Sequence, residues 1–237
     1  RPPRSTLFPY TTLFRSLTSS AHARRATAEV DRQHRQTDMK LPPPQTEGRI
    51  TVEEVLEQRR TVRAYQSRPL EVNQLSQLLW AAQGLTGNSG YKRAAPSAGA
   101  LYPMDVYPVL GQDSVAQMAA GVYHYGPGNH TLSRIARQDV KDEVAKAALS
   151  QRWMAKAPVN LIITAEYIRV TGKYGKRGER YAMIEAGHIG QNIFLQAEAL
   201  GLKAGIVGAF HDAALTHLLK IPPSHEPLII MPVGYGA

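Results

Sequence analysis

The sequence predicts an α+β fold in which a central mixed β-sheet is flanked by helices. Three observations lead to this prediction. Two helical patterns come first, a hairpin signal follows at residues 121–132, and strand and helix patterns then alternate as far as residue 234. The strand pattern at 158–165 is a continuous apolar run, which is typical of a strand buried on both faces. The pattern at 181–200 has apolar residues on more than one side, as expected of a long central helix.

The first 49 of the 237 residues differ from the rest. Residues 1–38 contain seven Arg and three acidic residues, and residues 1–16 have no helical or strand period and resemble translated adapter sequence. A signal peptide is the competing interpretation, but no compact apolar segment follows a basic start. We therefore predict an irregular N-terminal extension, disordered or non-native, over residues 1–49 and a single domain over residues 50–237.

Composition argues against several classes of protein. The chain has no cysteine, which excludes disulfides, thiolate metal ligands and Cys nucleophiles. Its eight His show no paired spacing, so we expect no metal site. No run of 18 apolar residues is present, and we expect no membrane association and a cytoplasmic location. Much of the formal charge of +9 comes from the Arg of residues 1–38, and no basic helix face or aromatic platform follows, so we expect no nucleic-acid partner.

The elements of the domain follow in order from Thr51. Thr51 and Glu54 form a capping box that predicts a helix start, and Gly84 is expected to end the second helix. The hairpin signal consists of two strand-like segments on either side of a Gly-Pro-Gly-Asn turn. The other predicted elements are helices at 73–83, 139–150, 181–200 and 213–220, and strands at 104–110, 158–165, 203–208 and 227–234.

Residues 59–63, Arg-Arg-Thr-Val-Arg, are a candidate anion-binding segment. Arg presents a rigid, permanently charged fork that suits phosphate oxygens, and the hydroxyl of Thr61 can add a further contact. A solvated basic turn at a helix end, stabilised by the helix dipole, is the alternative. The sequence has neither a Walker-type phosphate loop nor a strand-linked Gly-x-Gly-x-x-Gly pattern, so standard nucleotide sites are not expected.

Residues 94–103, Ala-Ala-Pro-Ser-Ala-Gly-Ala-Leu-Tyr-Pro, are dominated by small side chains. Such a segment lets backbone amides approach a flat or anionic ligand closely, and Ser97 supplies a hydroxyl. A tight loop packed beneath another helix is the alternative. This segment is therefore a second candidate for a ligand-binding surface.

The long helix predicted at 181–200 combines apolar residues with two glycines and several polar groups. Gly187 and Gly190 each cost about 1 kcal/mol of helix propensity relative to Ala, so we expect them to allow close approach of another helix or a ligand. The polar residues are Glu185, His188, Gln191 and Asn192. A ligand site and a buried hydrogen-bond network both remain open for them.

Residues 171–180 are polar, glycine-rich and basic. This composition predicts a mobile loop, the kind of segment on which catalytic groups are often carried. A solvated surface loop is the alternative.

With these motifs in order, residues 50–236 resemble the flavin-dependent nitroreductase superfamily, and within it the SagB-type dehydrogenases that form thiazoles and oxazoles. The resemblance depends on four segments: Arg59-Arg60-Thr61-Val62-Arg63, Ala95–Pro103, Glu185–Asn192, and Gly201-Leu202 followed by Val207-Gly208-Ala209-Phe210. Thr61 replaces the usual Ser and keeps the hydroxyl. Many relatives also have a basic residue near the C-terminus. This chain ends at Tyr235-Gly236-Ala237, so that contact is missing or the reading frame is truncated.

The resemblance implies a nitroreductase-like sandwich that dimerises through its long central helix and binds two FMN at the interface. The FMN phosphate and ribityl oxygens would be held by Arg59, Arg60, Thr61 and Arg63. The isoalloxazine ring would be lined from the other subunit by Pro96, Ser97 and Ala98. The residues completing that side would be Glu185, Val207, Gly208 and Ala209.

The resemblance also implies an FMN-dependent oxidoreductase that transfers hydride between the flavin and an organic substrate. In azoline-oxidising relatives a Lys-Tyr pair deprotonates the substrate, and Lys173 and Tyr174 match that pair in type and region. Surface loop residues are the alternative for these two. The substrate would then be an azoline in a modified peptide. The alternatives are a reductase of small-molecule nitroaromatics or quinones with NAD(P)H as electron donor, and a non-catalytic flavin-binding protein.

Overall fold

A seven-stranded β-sheet organises the computed structural model, which describes residues 38–87 and 90–237. Its strands are β1 (Met39–Lys40), β2 (Met104–Leu110), β3 (Gly121–Gly126), β4 (Thr131–Ala136), β5 (Val159–Ala165), β6 (Lys203–Ala204) and β7 (Glu226–Gly234). The strands lie in the order β1-β4-β3-β2-β5-β7-β6 and pair antiparallel. Parallel pairing occurs at two isolated bridges, Thr61 with Ala204 and Leu70 with Val115. The predicted extension lies outside the described residues as far as residue 37.

Six α-helices flank this sheet within the described ranges. They are α1 (Val52–Gln58), α2 (Val72–Gln83), α3 (Lys141–Ala147), α4 (Ile168–Tyr174), α5 (Arg177–Ala199) and α6 (Asp212–Leu219). Two 3-10 helices, at Ala98–Ala100 and Arg152–Lys156, complete the list. The α+β class predicted from the sequence is confirmed. None of these helices is long and apolar enough to cross a bilayer, as far as the described residues extend.

The sheet separates two apolar clusters, and β5 contributes to both. Every residue of β5 is buried, which confirms the prediction of a strand covered on both faces. Leu161 and Ile163 pack in the cluster that contains residues of α2 and α5. Ile162 between them packs in the cluster that contains residues of α3 and α6. This alternation is what the pleat of a strand produces, and it creates the layered sandwich.

The predicted helix caps are present. The Thr51 hydroxyl accepts from the Glu54 amide while the Glu54 carboxylate accepts from the Thr51 amide, so the capping box of α1 is confirmed. Gly84 ends α2, where a Cβ at that position would stand 2.3 Å from the Trp80 ring. Glycine is therefore required for the chain to leave the helix beside that indole.

The 23-residue helix α5 is the longest described element and confirms the long helix predicted from the sequence. A Cβ at Gly190 would meet Ile229 Cδ1 at 3.2 Å, so this glycine does allow close approach of β7. Gly187 has nothing within 4 Å of its Cβ position. Its expected role in close approach is therefore not realised by any contact among the described residues.

The prediction of a mobile loop at residues 171–180 is wrong. The segment contains the end of α4 and the first turn of α5, joined at Gly175, which has φ 55° and ψ −149°. Gly178 is buried, and a Cβ there would lie 3.0 Å from the backbone of Val170. The glycines thus serve a tight reversal and a helix-to-helix contact, and packing overrides the low helix propensity on which the loop prediction depended.

Two further elements differ from expectation. Residues 39–40 form strand β1 beside β4, and Leu41 is 2% exposed, although the sequence analysis assigned them to the extension. A two-residue strand leaves no periodic signal, and the position at which the domain begins stays a prediction. The strand predicted at 203–208 is short, since only Lys203–Ala204 belongs to β6 and Val207 forms an isolated bridge to Ile230.

Candidate functional site

The Arg-rich segment at 59–63 lies along the β6 edge of the sheet. Thr61 bridges Ala204, and the amide of Val62 donates to the Ala204 carbonyl at 2.9 Å. Val207 pairs with Ile230 of β7 a few residues further on. The structure therefore brings the predicted phosphate-binding segment next to the 207–209 segment, two parts of the chain that are far apart in sequence.

Tyr65 and Gly205 fix the backbone of this segment. The Tyr65 hydroxyl lies 3.0 Å from both the Val62 carbonyl and the Pro232 carbonyl of β7, and burial raises the pKa of this tyrosine. A Cβ at Gly205 would stand 2.8 Å from the Val62 carbonyl and 3.0 Å from the Trp153 ring, so only glycine fits there without displacement. The last residues of the chain also contribute, since the Ala237 amide donates to the Ala64 carbonyl.

The three guanidinium groups of the segment contact rings and carbonyls. Arg59 is half-buried, 5.1 Å over the Phe194 ring of α5, and Arg63 is 5.8 Å over the Trp153 ring. Arg60 donates to the Glu57 carbonyl at 2.6 Å. No carboxylate of residues 38–87 or 90–237 forms an ion pair with any of the three. Their charge is therefore available to an anion.

A second group of predicted site residues surrounds the loop at 96–102. Ser97 Oγ accepts from the Tyr102 amide at 2.9 Å, which closes the loop. Gly99 has φ 63°, and its Cβ position lies 2.7 Å from the Tyr174 hydroxyl and 3.1 Å from Lys173 Nζ. The structure thus brings the predicted catalytic pair, at the end of α4, directly against the small-residue loop that contains Pro96, Ser97 and Ala98.

Glu185 of α5 lies beneath the same loop and is 2% exposed. Its carboxylate accepts from Gln83 Nε2 at 3.0 Å. Burial raises the pKa of Glu185, while the Ser97 hydroxyl, the Gln83 amide and the charge of Arg93 act in the opposite direction. Arg93 Nη1 in turn donates to Gln83 Oε1 at 3.1 Å.

Gln83 and Arg93 belong to this site but were not predicted from the sequence. Gln83 is 1% exposed at the end of α2, one turn after the buried Leu79 on the same side of the helix. A polar residue on the buried face of a helix was the available signal, because such a group needs a partner. Arg93 gave no comparable signal, since its partners are fixed only by the fold.

The two groups of site residues are separated within the chain. Helix α5 contacts both, with Glu185 beneath the loop and Phe194 beneath Arg59. The nine-residue step from Glu185 to Phe194 corresponds to about 13.5 Å along the helix axis. The structure therefore assembles each group but does not bring the two together in one chain.

One face of α5 is apolar and exposed. Met183 and Ile184 are 55% and 48% exposed, and Gly187 and His188 follow one turn later on the same face. Ile206, 37% exposed, lies in the segment after β6. Two adjacent exposed apolar side chains on a central helix are typical of a surface that contacts another protein.

A separate polar cluster joins the ends of β2 and β3 to α4. Asp105 Oδ1 is 2.8 Å from His124 Nε2, and Asp105 Oδ2 is 2.7 Å from Arg169 Nη1. Burial alone would raise the pKa of Asp105, but the His124 hydrogen bond and the Arg169 charge outweigh it and lower that pKa. Within the described ranges no group of three His, Cys, Asp or Glu side chains is arranged to hold a metal ion.

Comparisons with known proteins agree on one family. The sequence profile of the Nitroreductase family matches residues 56–235. The chain is 46% identical over 185 residues to a Methanocaldococcus jannaschii protein named as a nitroreductase, covering 78% of this chain and 91% of that protein. It is 27% identical over 170 residues to the Microcin B17-processing protein McbC of Escherichia coli, covering 70% of this chain but only 62% of McbC. Among solved structures, a nitroreductase of Ralstonia eutropha superposes with a TM-score of 0.72 at 27% identity, covering 85% and 90% of the two chains.

Proposed function

The chain belongs to the nitroreductase family, and on that premise we propose that it is an FMN-dependent, homodimeric oxidoreductase of the SagB-type dehydrogenase kind. The observation that carries the proposal is the segment at 59–63, where three guanidinium groups have no carboxylate partner among the described residues. When bound, FMN would supply the exchange of hydride with an organic substrate. The residues of the chain would bind and orient FMN and would exchange a proton with the substrate.

The Arg-rich segment fits the phosphate end of FMN. Arg59 and Arg63 are each held over an aromatic ring, which positions the guanidinium without neutralising it. Thr61 lies between them beside the β6 edge and supplies a hydroxyl. Gly208 and Ala209 are exposed, and nothing lies within 4 Å of the Cβ position of Gly208, so a ligand can approach that backbone closely.

The loop at 96–98 fits the flat ring of FMN. Its side chains are small, its backbone is closed by the Ser97–Tyr102 hydrogen bond, and Glu185 supports it from below. Because the loop and the Arg segment are separated along α5, a single FMN would contact the Arg segment of one subunit and the loop of its partner. The exposed apolar face at Met183, Ile184 and Gly187 is the surface through which we propose that two copies associate.

Lys173 and Tyr174 are proposed as the catalytic pair. Both polar atoms lie within about 3 Å of the Cβ position of Gly99, so they stand at the surface of the ring-binding loop. Lys173 Nζ is 5.3 Å from the centre of the Tyr174 ring, which keeps the two groups together. The pair would remove a proton from a substrate carbon while hydride leaves towards the flavin.

The proposed substrate is an azoline ring in a modified peptide. The likeness to McbC, whose name gives microcin processing as its role, supports this choice, and the placement of the Lys-Tyr pair agrees with it. The second candidate is reduction of nitroaromatics or quinones with NAD(P)H, favoured by the higher identity to the Methanocaldococcus jannaschii relative. A non-catalytic flavin-binding protein would keep the Arg segment without needing the pair.

The test starts from FMN retention. Purified protein is expected to be yellow and to release FMN on denaturation, and Arg59→Ala is expected to lose FMN while its unfolding midpoint changes little. The matched control is Arg68→Ala, because Arg68 also lies over an aromatic ring, that of Tyr235 at 3.8 Å, but outside the segment at 59–63. A colourless wild-type protein that does not bind added FMN would refute the proposal.

Rapid-mixing measurements then distinguish the proposed dehydrogenase from the reductase. Flavin bleaching by a synthetic thiazoline peptide, with loss of two hydrogens from the peptide by mass spectrometry, supports the dehydrogenase. Bleaching by NADPH alone supports the reductase. Lys173→Ala and Tyr174→Phe proteins that retain FMN should lose peptide oxidation, and unchanged turnover in both would remove the pair from the mechanism.

A further inference from the structure

Three side chains, Arg93, Gln83 and Glu185, form a continuous hydrogen-bonded line beneath the loop at 96–102. Arg93 Nη1 donates to Gln83 Oε1 at 3.1 Å, and Gln83 Nε2 donates to Glu185 Oε1 at 3.0 Å. Gln83 and Glu185 are 1% and 2% exposed, so this line is shielded from water at its centre.

The direction of each bond follows from what each group can donate. Arg has only donors, so Gln83 must turn its oxygen to Arg93 and its NH₂ to Glu185. Glu185 therefore receives a donated hydrogen bond from Gln83, which favours its carboxylate form over the protonated acid.

The surrounding charges support the same state of Glu185. Arg93 from the preceding loop and His188 from α5 itself are the charged or titratable groups that act on it. Arg93 is held in place by the Tyr102 side chain, whose ring centre is 4.5 Å from the guanidinium carbon and whose hydroxyl accepts from the Arg93 amide. Burial works against the charge, so the ionised state depends on these partners.

We infer that Arg93 and Gln83 are positioning residues that hold Glu185 as a carboxylate beneath the ring-binding loop, and that this fixed negative charge favours oxidised over reduced FMN. The second half of this inference rests on the proposed FMN site. Reduced FMN at neutral pH carries one more negative charge on its ring than oxidised FMN. A buried carboxylate beneath that loop repels the reduced form more strongly, because little solvent screens it.

The first test measures the charge on Glu185 without reference to activity. The full chain is labelled with ¹³C at the Glu carboxyl carbons, and the Glu185 signal is identified by its loss in Glu185→Gln. Gln83→Met keeps the length of the side chain and removes both bonds, so the pKa of Glu185 should rise. Arg93→Gln should raise it as well. An unchanged titration in Gln83→Met would overturn the positioning role.

Helix α2 also provides a matched control for Gln83→Met. Gln77 is 8% exposed on α2 and bonds to Gln45 and Gln196, away from Glu185. Gln77→Met removes a comparable buried amide, so any general loosening of α2 should appear there too. The inference requires that Gln77→Met leave the Glu185 titration in place.

The second test compares affinities for oxidised FMN and for FMN reduced with dithionite. Glu185→Gln removes the charge and keeps the shape, so affinity for reduced relative to oxidised FMN should rise by about tenfold. Glu198→Gln, a buried carboxylate paired with Lys203 near the other end of α5, should leave this ratio unchanged. An equal ratio in wild type and Glu185→Gln would overturn the redox role. Failure of the wild type to bind either form would instead refute the FMN site, and the redox role with it, while the titration would still decide the positioning role.

Discussion

Replacing Gly99 by Ala should separate stability from catalysis. Gly99 has φ 63°, a conformation that costs a residue with a Cβ about 1 kcal/mol, so a loss of that size is expected in urea unfolding. The new Cβ would also stand 2.7 Å from the Tyr174 hydroxyl and 3.1 Å from Lys173 Nζ. Both atoms end flexible side chains and can move away cheaply. Restoring a normal contact displaces the hydroxyl by about 0.7 Å, and displacements near 1 Å can lower turnover by up to about a hundredfold.

Gly201 provides the matched control for this experiment. It has φ 69° after α5 and nothing within 4 Å of its Cβ position, so Gly201→Ala carries the backbone cost alone. The two variants should lose similar stability, whereas only Gly99→Ala should lose thiazoline oxidation, measured on FMN-saturated protein by mass spectrometry. Equal turnover in Gly99→Ala and Gly201→Ala would refute the reasoning, because it would show that the position of the Lys-Tyr pair against the loop does not matter.

Three further predictions test other parts of the structure. Gly187→Arg should convert a dimer to a monomer in light scattering, whereas Ile168→Arg, at a 70% exposed position off α5, should not; a dimer in both would place the interface elsewhere. Tyr65→Phe should cost about 1 kcal/mol in urea unfolding and weaken FMN binding, since the hydroxyl that holds the Arg segment is lost; full FMN affinity would show that this hydroxyl is dispensable. Asp105→Asn should destabilise the protein by about 1–3 kcal/mol at neutral pH. Because the folded-state pKa of Asp105 is lowered, the contribution of its carboxylate to stability is fully present above the ordinary pKa of 3.8 and is lost as the pH falls through the folded-state pKa. The difference in stability between Asp105→Asn and wild type should therefore vanish in acid. A difference that does not depend on pH would contradict the assignment.

Local signals predicted the elements that depend on short-range physics. The capping box at Thr51, the buried strand at 159–165 and the long helix α5 follow from groups a few residues apart or from regular periods, and the structure confirms them. The order of these elements was enough to predict the α+β class. Each of these signals is complete within one stretch of sequence, which is why the elements could be predicted without knowledge of the fold.

Signals that need the fold were lost or misinterpreted. The glycines of 171–180 indicated a loop, yet Gly178 is there because the backbone of Val170 passes within 3.0 Å of its Cβ position. Arg93 acquires its meaning only from Gln83 and Glu185, and the bond between these last two joins residues 102 positions apart. No local pattern encodes such a partnership. The resemblance identified Glu185, Ser97 and the Lys-Tyr pair as site residues, but it did not predict that the other three lie against the loop that contains Ser97.

The bracing of the Arg-rich segment also has a consequence for synthesis of the chain. The Tyr65 hydroxyl reaches the Pro232 carbonyl across 167 positions, and the Ala237 amide bonds back to Ala64. A ribosome makes residues 59–63 well before it makes their supports, so this segment cannot reach its final geometry until residues 232 and 237 have left the ribosome. An anion should therefore bind this segment late in folding, after β7 has joined the sheet.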